Sequence, residues 1–219
     1  MDLRLLAILD PALLRAQEPV AAARAAEQGG ATALQVRMKK ASAFELWELT
    51  RRLLDEVTIP VYVNDRADVA WAAGAHGVHL GQDDVPAEAV RQWWPPPPSF
   101  RIGISVGTTA EADRTRAWDP GVDYWSIGPL YRTASKADAG VPLGPTGFSA
   151  LARRAPAGLP VIGIGGITQH NAAHVIRAGA AGVAVISAIF GGPASRIVDA
   201  ARVIRASVDE ALALRRGPP

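Results

Sequence analysis

The chain has 219 residues, 49% of them hydrophobic and 20% charged, an apolar content that supports a large core and excludes an intrinsically disordered protein. It contains no cysteine, which removes disulfides, thiolate metal sites and thiol nucleophiles together. Lysine and arginine total 23 against 21 acidic residues, a formal charge of +2, too even for a protein that grips nucleic acid by neutralising phosphates. Short apolar runs recur along the chain at 5–9, 33–36, 60–63, 77–80, 102–105, 124–127, 161–164 and 183–186. They are mostly aliphatic or β-branched without strict polar alternation, the pattern of strands buried on both faces. Between them, segments at 20–28, 43–56, 87–94, 110–118, 147–154, 171–178 and 194–215 carry helical spacing.

Strands alternating with helices imply right-handed βαβ units and a parallel sheet. The junction after the first run reads Asp10-Pro11-Ala12-Leu13, without the glycine fingerprint of a dinucleotide-binding sheet. The expected fold is therefore α/β, a single (β/α)8 TIM barrel over residues 1–219 with its site at the C-terminal ends of the strands. The run Pro95–Pro98 reads as a rigid surface loop that stops the preceding helix. The N-terminal apolar run is cut off by Asp10-Pro11, too short for a signal peptide. The longest apolar stretch, 180–192, falls well short of the roughly 20 residues that cross a bilayer. A cytoplasmic protein with no membrane or nucleic-acid partner is expected, and self-association is left open.

The strand ends carry the polar residues. After the second run, Gln35, Arg37 and Lys39 alternate with Val36 and Met38, so an extended chain puts the three on one face. They suit either an anion with several oxygens or a solvated basic strand end. Asn64-Asp65-Arg66-Ala67-Asp68 follows the third run and Gly81-Gln82-Asp83-Asp84 the fourth. Asn64 or Asp65 can cap a helix there, as can the acidic residues before Pro86. Taken together, Asp65 and Asp84 can instead hold a hard cation such as Mg²⁺, which takes one or two carboxylates plus substrate phosphates. Arg37 and Lys39 would grip the remaining oxygens of a diphosphate. The four histidines, His76, His79, His170 and His174, are scattered, with His170 and His174 on one helix face, and no general base is expected beside Ser105. The long connection from Gly128 to Gly144 reads as a lid, with Thr133, Ser135 and Lys136 suited to a phosphate. Gly163-Ile164-Gly165-Gly166-Ile167 and Ile186-Ser187 follow the last two runs, where barrels often bind a monophosphate. Two anion sites across one mouth fit an enzyme that joins two phosphorylated substrates and expels diphosphate.

Six ordered motifs resemble the thiamine-phosphate synthase family. They are Gln35-Val36-Arg37-Met38-Lys39, Val63-Asn64-Asp65-Arg66, Gly77–Asp84, Gly128–Lys136, Gly163–Ile167 and Val185-Ile186-Ser187. The resemblance implies condensation of hydroxymethylpyrimidine diphosphate with a thiazole phosphate, or its carboxylate, to thiamine phosphate and diphosphate. It further implies that Gln35, Arg37, Lys39, Asn64, Ser105 and Lys136 bind the pyrimidine diphosphate, that Val36 and Met38 between them belong to the substrate-binding stretch, and that Asp65 and Asp84 hold Mg²⁺. Thr133, Ala134, Ser135, Gly166, Ile186 and Ser187 would hold the thiazole phosphate, and Arg37, Lys39 and Lys136 would assist the departing diphosphate. A related thiazole tautomerase generally lacks the fourth-strand metal carboxylate and places a histidine two residues after the fifth-strand serine. Here Asp84 is present and Gly107 stands in the histidine's place. A non-catalytic phosphate sensor would be expected to lose part of the metal set or Lys136, and both are intact.

Overall fold

The computed structural model describes residues 1–14, 17–93, 99–117, 121–133, 135 and 140–216. Strands β1 (Leu5–Leu9), β2 (Ala33–Val36), β3 (Val61–Asn64), β4 (Gly77–Leu80), β5 (Arg101–Val106), β6 (Tyr124–Ile127), β7 (Val161–Ile164) and β8 (Gly182–Val185) pair in parallel and in chain order. β8 returns to β1, with Leu6 opposite Ala184, so no strand edge is left open. Helices α1 (Pro19–Gln28), α2 (Ala43–Glu56), α3 (Ala67–Ala73), α4 (Ala87–Trp93), α5 (Thr109–Arg116), α6 (Gly144–Ala152), α7 (Ala172–Arg177), α8 (Ser187–Phe190) and α9 (Ile197–Arg216) connect the strands and close the chain.

The pleat sends alternate side chains to two cores. Leu5, Ala7, Leu34, Val63, Val78 and Trp125 point outward and pack under the helices. Leu6, Ile8, Ala33, Tyr62, Tyr124, Ile162 and Ala184 fill the barrel. Both faces of each strand are thereby removed from water, which is why the runs lack polar alternation. Inside the barrel Tyr62 and Tyr124 meet edge to face, with ring centroids 6.2 Å apart. Helix starts follow local chemistry: Ser42 with Glu45, and Thr108 with Glu111, form capping boxes at α2 and α5.

The strands lie where the apolar runs predict them, β3 and β8 displaced by one residue and β5 longer by one at each end. α6 begins at Gly144, ahead of the expected 147, with Pro145 in its first turn. The expected continuous helix 194–215 is a 3₁₀ turn, Ala194–Arg196, followed by α9. His170 precedes α7, so it shares no helix face with His174. Helices α3 and α8, seven and four residues long, are too short for periodicity to reveal. Trp94, Trp118 and the run Pro95–Pro98 lie outside the described residues. Among the described residues no helix is long and apolar enough to cross a membrane.

Candidate active site

A cavity of about 760 Å³ opens at the C-terminal ends of the strands, and every strand contributes to its walls. Gln35, Arg37 and Lys39 all line it, as the alternation after β2 requires. Val36 is buried in the outer core and Met38 packs against the same core, so neither offers its side chain to the cavity. The implied contacts of these two could be made only through backbone.

Arg37 Nη1 donates to Asp10 Oδ2 at 2.5 Å, and Asp10 Oδ1 accepts from the Ala12 amide at 3.1 Å. Asp10 therefore fixes both the turn after β1 and the guanidinium on β2. Its sequence context, Asp10-Pro11, signals only the strand's end, and the partnership depends on β1 and β2 being neighbours.

Neither Asn64 nor Asp65 caps α3. The residue at the cap is Arg66, without a capping side-chain bond, and it pairs instead with Asp68. Asp65 takes a left-handed backbone, φ 65, while its amide donates to the His79 carbonyl at 2.8 Å. Its carboxylate accepts from Lys39 Nζ at 2.6 Å. Asp84 does not cap α4 either: its Oδ2 accepts from the Gly81 amide at 2.6 Å, folding the turn after β4 onto the cavity. Burial raises the Asp84 pKa; the Gly81 amide opposes this, and the nearby Asp65 carboxylate adds to it. Asp65 and Asp84 thus lie together at the lip with Lys39 beside them, and carboxylate oxygens are the donors that a hard divalent cation would take. Among the described residues no cluster of three or more His, Asp or Glu could hold a metal, so further ligands would have to come from substrate or water.

Ser105 lines the cavity, and a histidine that the sequence does not place there stands beside it. His79 Nε2 lies 3.0 Å from Ser105 Oγ, and His79 Nδ1 lies 3.0 Å from the Tyr124 hydroxyl. The third member is a tyrosine rather than a carboxylate, so the row lacks the group that would stabilise an imidazolium during nucleophilic attack. Gln82 holds the Ser105 backbone, donating from Nε2 to the Ser105 carbonyl at 2.8 Å and to Thr115 Oγ1 at 3.0 Å. A Cβ on Gly107 would stand 2.9 Å from the Gly128 carbonyl, so the backbone crowds the position where the tautomerase carries histidine.

The opposite wall comes from β6, β7 and β8. Thr133, Ser135, Gly166, Ile186 and Ser187 all line it. Ser135 donates its amide to Thr133 Oγ1 at 3.2 Å. Lys136 and Ala134 lie outside the described residues. Gly166 has φ 64, and a Cβ there would stand 2.5 Å from the Arg132 carbonyl. Asn171 holds this turn, donating from Nδ2 to the Gly166 carbonyl at 2.9 Å and accepting the Thr168 amide at 2.8 Å. The structure thus brings together all the described candidate residues except the side chains of Val36 and Met38. It adds Asp10, His79 and Gln82, of which only the inward histidine on an otherwise apolar β4 leaves a signal in the sequence.

The closed parallel barrel, with its polar cavity at the C-terminal ends of the strands, is a (β/α)8 barrel with its candidate site where such enzymes carry theirs. Residues 5–189 match the family described as thiamine monophosphate synthase. The thiamine-phosphate synthase of Roseiflexus sp. is 47% identical over 193 residues, covering 85% of this chain and 78% of its own. That of Chloroflexus aurantiacus is 41% identical over 215 residues, covering 95% and 94%. The solved thiamine phosphate pyrophosphorylase of Pyrococcus furiosus superposes with a TM-score of 0.82 at 34% identity, covering 97% of this chain and 98% of its own. The chain belongs to the thiamine-phosphate synthase family, transferases of thiamine biosynthesis.

Proposed function

We propose that this chain condenses 4-amino-2-methyl-5-(diphosphooxymethyl)pyrimidine with 4-methyl-5-(2-phosphooxyethyl)thiazole, or its 2-carboxylate, giving thiamine phosphate and diphosphate. The observation that carries this reading is the pairing of Lys39, Asp65 and Asp84 on one lip with Gly166 and Ser187 on the other, over one cavity. Family membership supplies the substrates.

Asp65 and Asp84 would hold a Mg²⁺ ion, which neutralises charge on the diphosphate when bound. Arg37, pinned by Asp10, and Lys39 offer donors to the diphosphate oxygens, and Lys136 is assigned the same task. Ser105 and Gln35 orient the pyrimidine ring. The methylene C–O bond breaks with its electron pair leaving on diphosphate, and the thiazole nitrogen then forms the C–N bond to the methylene carbon. With the carboxylate substrate, CO2 also leaves. Gly166, with Thr133, Ser135, Ile186 and Ser187, seats the thiazole phosphate so that its nitrogen faces that carbon. The chain's share of the catalysis is electrostatic stabilisation and alignment.

The test is one assay of both products. Purified protein is given both substrates and Mg²⁺, with and without EDTA, and diphosphate and thiamine phosphate are followed. Equal, EDTA-sensitive formation of the two is expected. Binding without turnover, or isomerisation of the thiazole without condensation, would overturn the reading.

A further inference from the structure

The row beneath Ser105 has a direction. His79 on β4 pairs in register with Gly103 on β5, and Gly103 with Tyr124 on β6. Tyr124 reaches across the middle strand only because Gly103 has no side chain: a Cβ there would stand 2.0 Å from Tyr124 Cζ and 2.4 Å from its hydroxyl. The ring crosses that gap and sets its hydroxyl 3.0 Å from His79 Nδ1. Ser105, two residues beyond Gly103 on the same face of β5, receives the other ring nitrogen, Nε2, at 3.0 Å.

Tyr124 is fully buried, and burial holds its hydroxyl well above the usual tyrosine range. It therefore keeps its proton, and a buried hydroxyl proton requires an acceptor. His79 Nδ1, 3.0 Å away, is assigned as that acceptor, which selects one tautomer of the imidazole. The side-chain amide of Gln35 faces the Tyr124 oxygen and opposes part of the burial shift, which fits a donor approaching the hydroxyl's lone pair. The buried Gln35 Nε2 makes no close hydrogen bond of its own. A neutral imidazole with Nδ1 accepting carries its proton on Nε2, so His79 donates to Ser105 Oγ. One lone pair of Ser105 is thus taken from below, and its proton is free to turn into the cavity.

We propose that Tyr124 and His79 are positioning residues that hold the Ser105 hydroxyl by one lone pair and turn its proton toward the cavity, so that the floor favours a ring presenting an acceptor nitrogen there. The proposal rests on the reading of Ser105 as a pyrimidine contact. Under it, a pyrimidine whose nitrogen at this edge is replaced by C–H binds more weakly, because the Ser105 proton is left without a partner.

The test is calorimetric binding of the pyrimidine diphosphate, with Mg²⁺, to the full chain, together with steady-state KM for each substrate. Ser105→Ala should weaken pyrimidine binding by about tenfold, the worth of one hydrogen bond. Tyr124→Phe should weaken it several-fold and leave the KM for the thiazole phosphate within about twofold. In the double variant the Tyr124→Phe effect should vanish, since it acts only through Ser105. His79→Gln, which keeps a donor toward Ser105, should retain affinity, whereas His79→Leu should lose it. These two variants carry the test if Tyr124→Phe does not fold. Full additivity of Ser105→Ala and Tyr124→Phe, or equal loss in His79→Gln and His79→Leu, would overturn the directed chain. An unchanged affinity in Ser105→Ala would instead overturn the reading of Ser105 as a pyrimidine contact.

Discussion

Asp10 and Arg37 form an ion pair at 2.5 Å between the ends of β1 and β2, with side chains only 11% and 16% exposed. Asp10 cannot swing away, because its other oxygen holds the Ala12 amide. In the proposed role Arg37 would meet the diphosphate with one donor already spent and its guanidinium held by Asp10, which would lower the entropy lost on binding. Asp10→Ala should raise the KM for the pyrimidine diphosphate by about tenfold and lower stability by about 1–3 kcal/mol. Asp10→Asn, whose single amide oxygen can keep only one of the two partners, should fall between Asp10→Ala and the wild type. Kinetics and thermal melting on the three proteins check this; a KM unchanged in Asp10→Ala would show that Arg37 needs no anchor.

Asp84 is predicted to make stability depend on pH. Its pKa is raised, first by burial and further by Asp65, so the folded chain binds this proton more tightly than the unfolded chain. The group's contribution to stability is therefore lost as pH rises from its unfolded pKa through its folded one, and the charge is a burden at neutral pH. A bound divalent cation reverses the sign. In EDTA at neutral pH, Asp84→Asn should melt above the wild type. In millimolar Mg²⁺ the wild type should gain and the variant should not, while the variant's turnover falls by at least about 10²-fold. Equal Mg²⁺-induced shifts in both proteins would place the ion elsewhere.

The barrel was legible because its information is local: eight apolar runs, helical segments between them and no phosphate-binding glycines after the first strand. The lip of the site was legible for a related reason. Gln35, Arg37 and Lys39 alternate within a single extended segment, so period two alone places them together. What the sequence hides is pairing between strands. Asp10 looks like a strand terminator until β1 and β2 lie side by side, and His79 meets Tyr124 only because Gly103 leaves a gap in the strand between them. Asp65 reads as a cap, whereas its left-handed backbone aims the carboxylate at Lys39.

The gap at Gly103 is a packing prediction in its own right. Gly103→Ala would drive a methyl into the Tyr124 ring, and overpacking of this kind costs about 1–3 kcal/mol or more. Tyr124→Leu alone should also destabilise, by loss of buried ring contacts. The double variant should be more stable than the sum of the two predicts, because the shortened side chain gives the methyl room. Denaturant unfolding of the four proteins measures the coupling, and strict additivity would contradict the contact.

Gly166 separates strain from function by comparison with Gly158. Both have positive φ, 64 and 82, so alanine at either carries a left-handed penalty of about 1–2 kcal/mol. At Gly158 nothing lies within 4 Å of the added Cβ, whereas at Gly166 it would meet the Arg132 carbonyl at 2.5 Å and Tyr131 Cβ at 2.8 Å. Those contacts belong to the segment after β6 that carries Thr133 and Ser135 to the cavity. Gly158→Ala should therefore lower stability and leave both KM values alone. Gly166→Ala should lower stability further and raise the KM for the thiazole phosphate by about tenfold or more, with the pyrimidine KM much less affected. Steady-state kinetics in both substrates decides it: a Gly166→Ala protein with an unchanged thiazole KM would mean that the phosphate is seated away from the β7 turn.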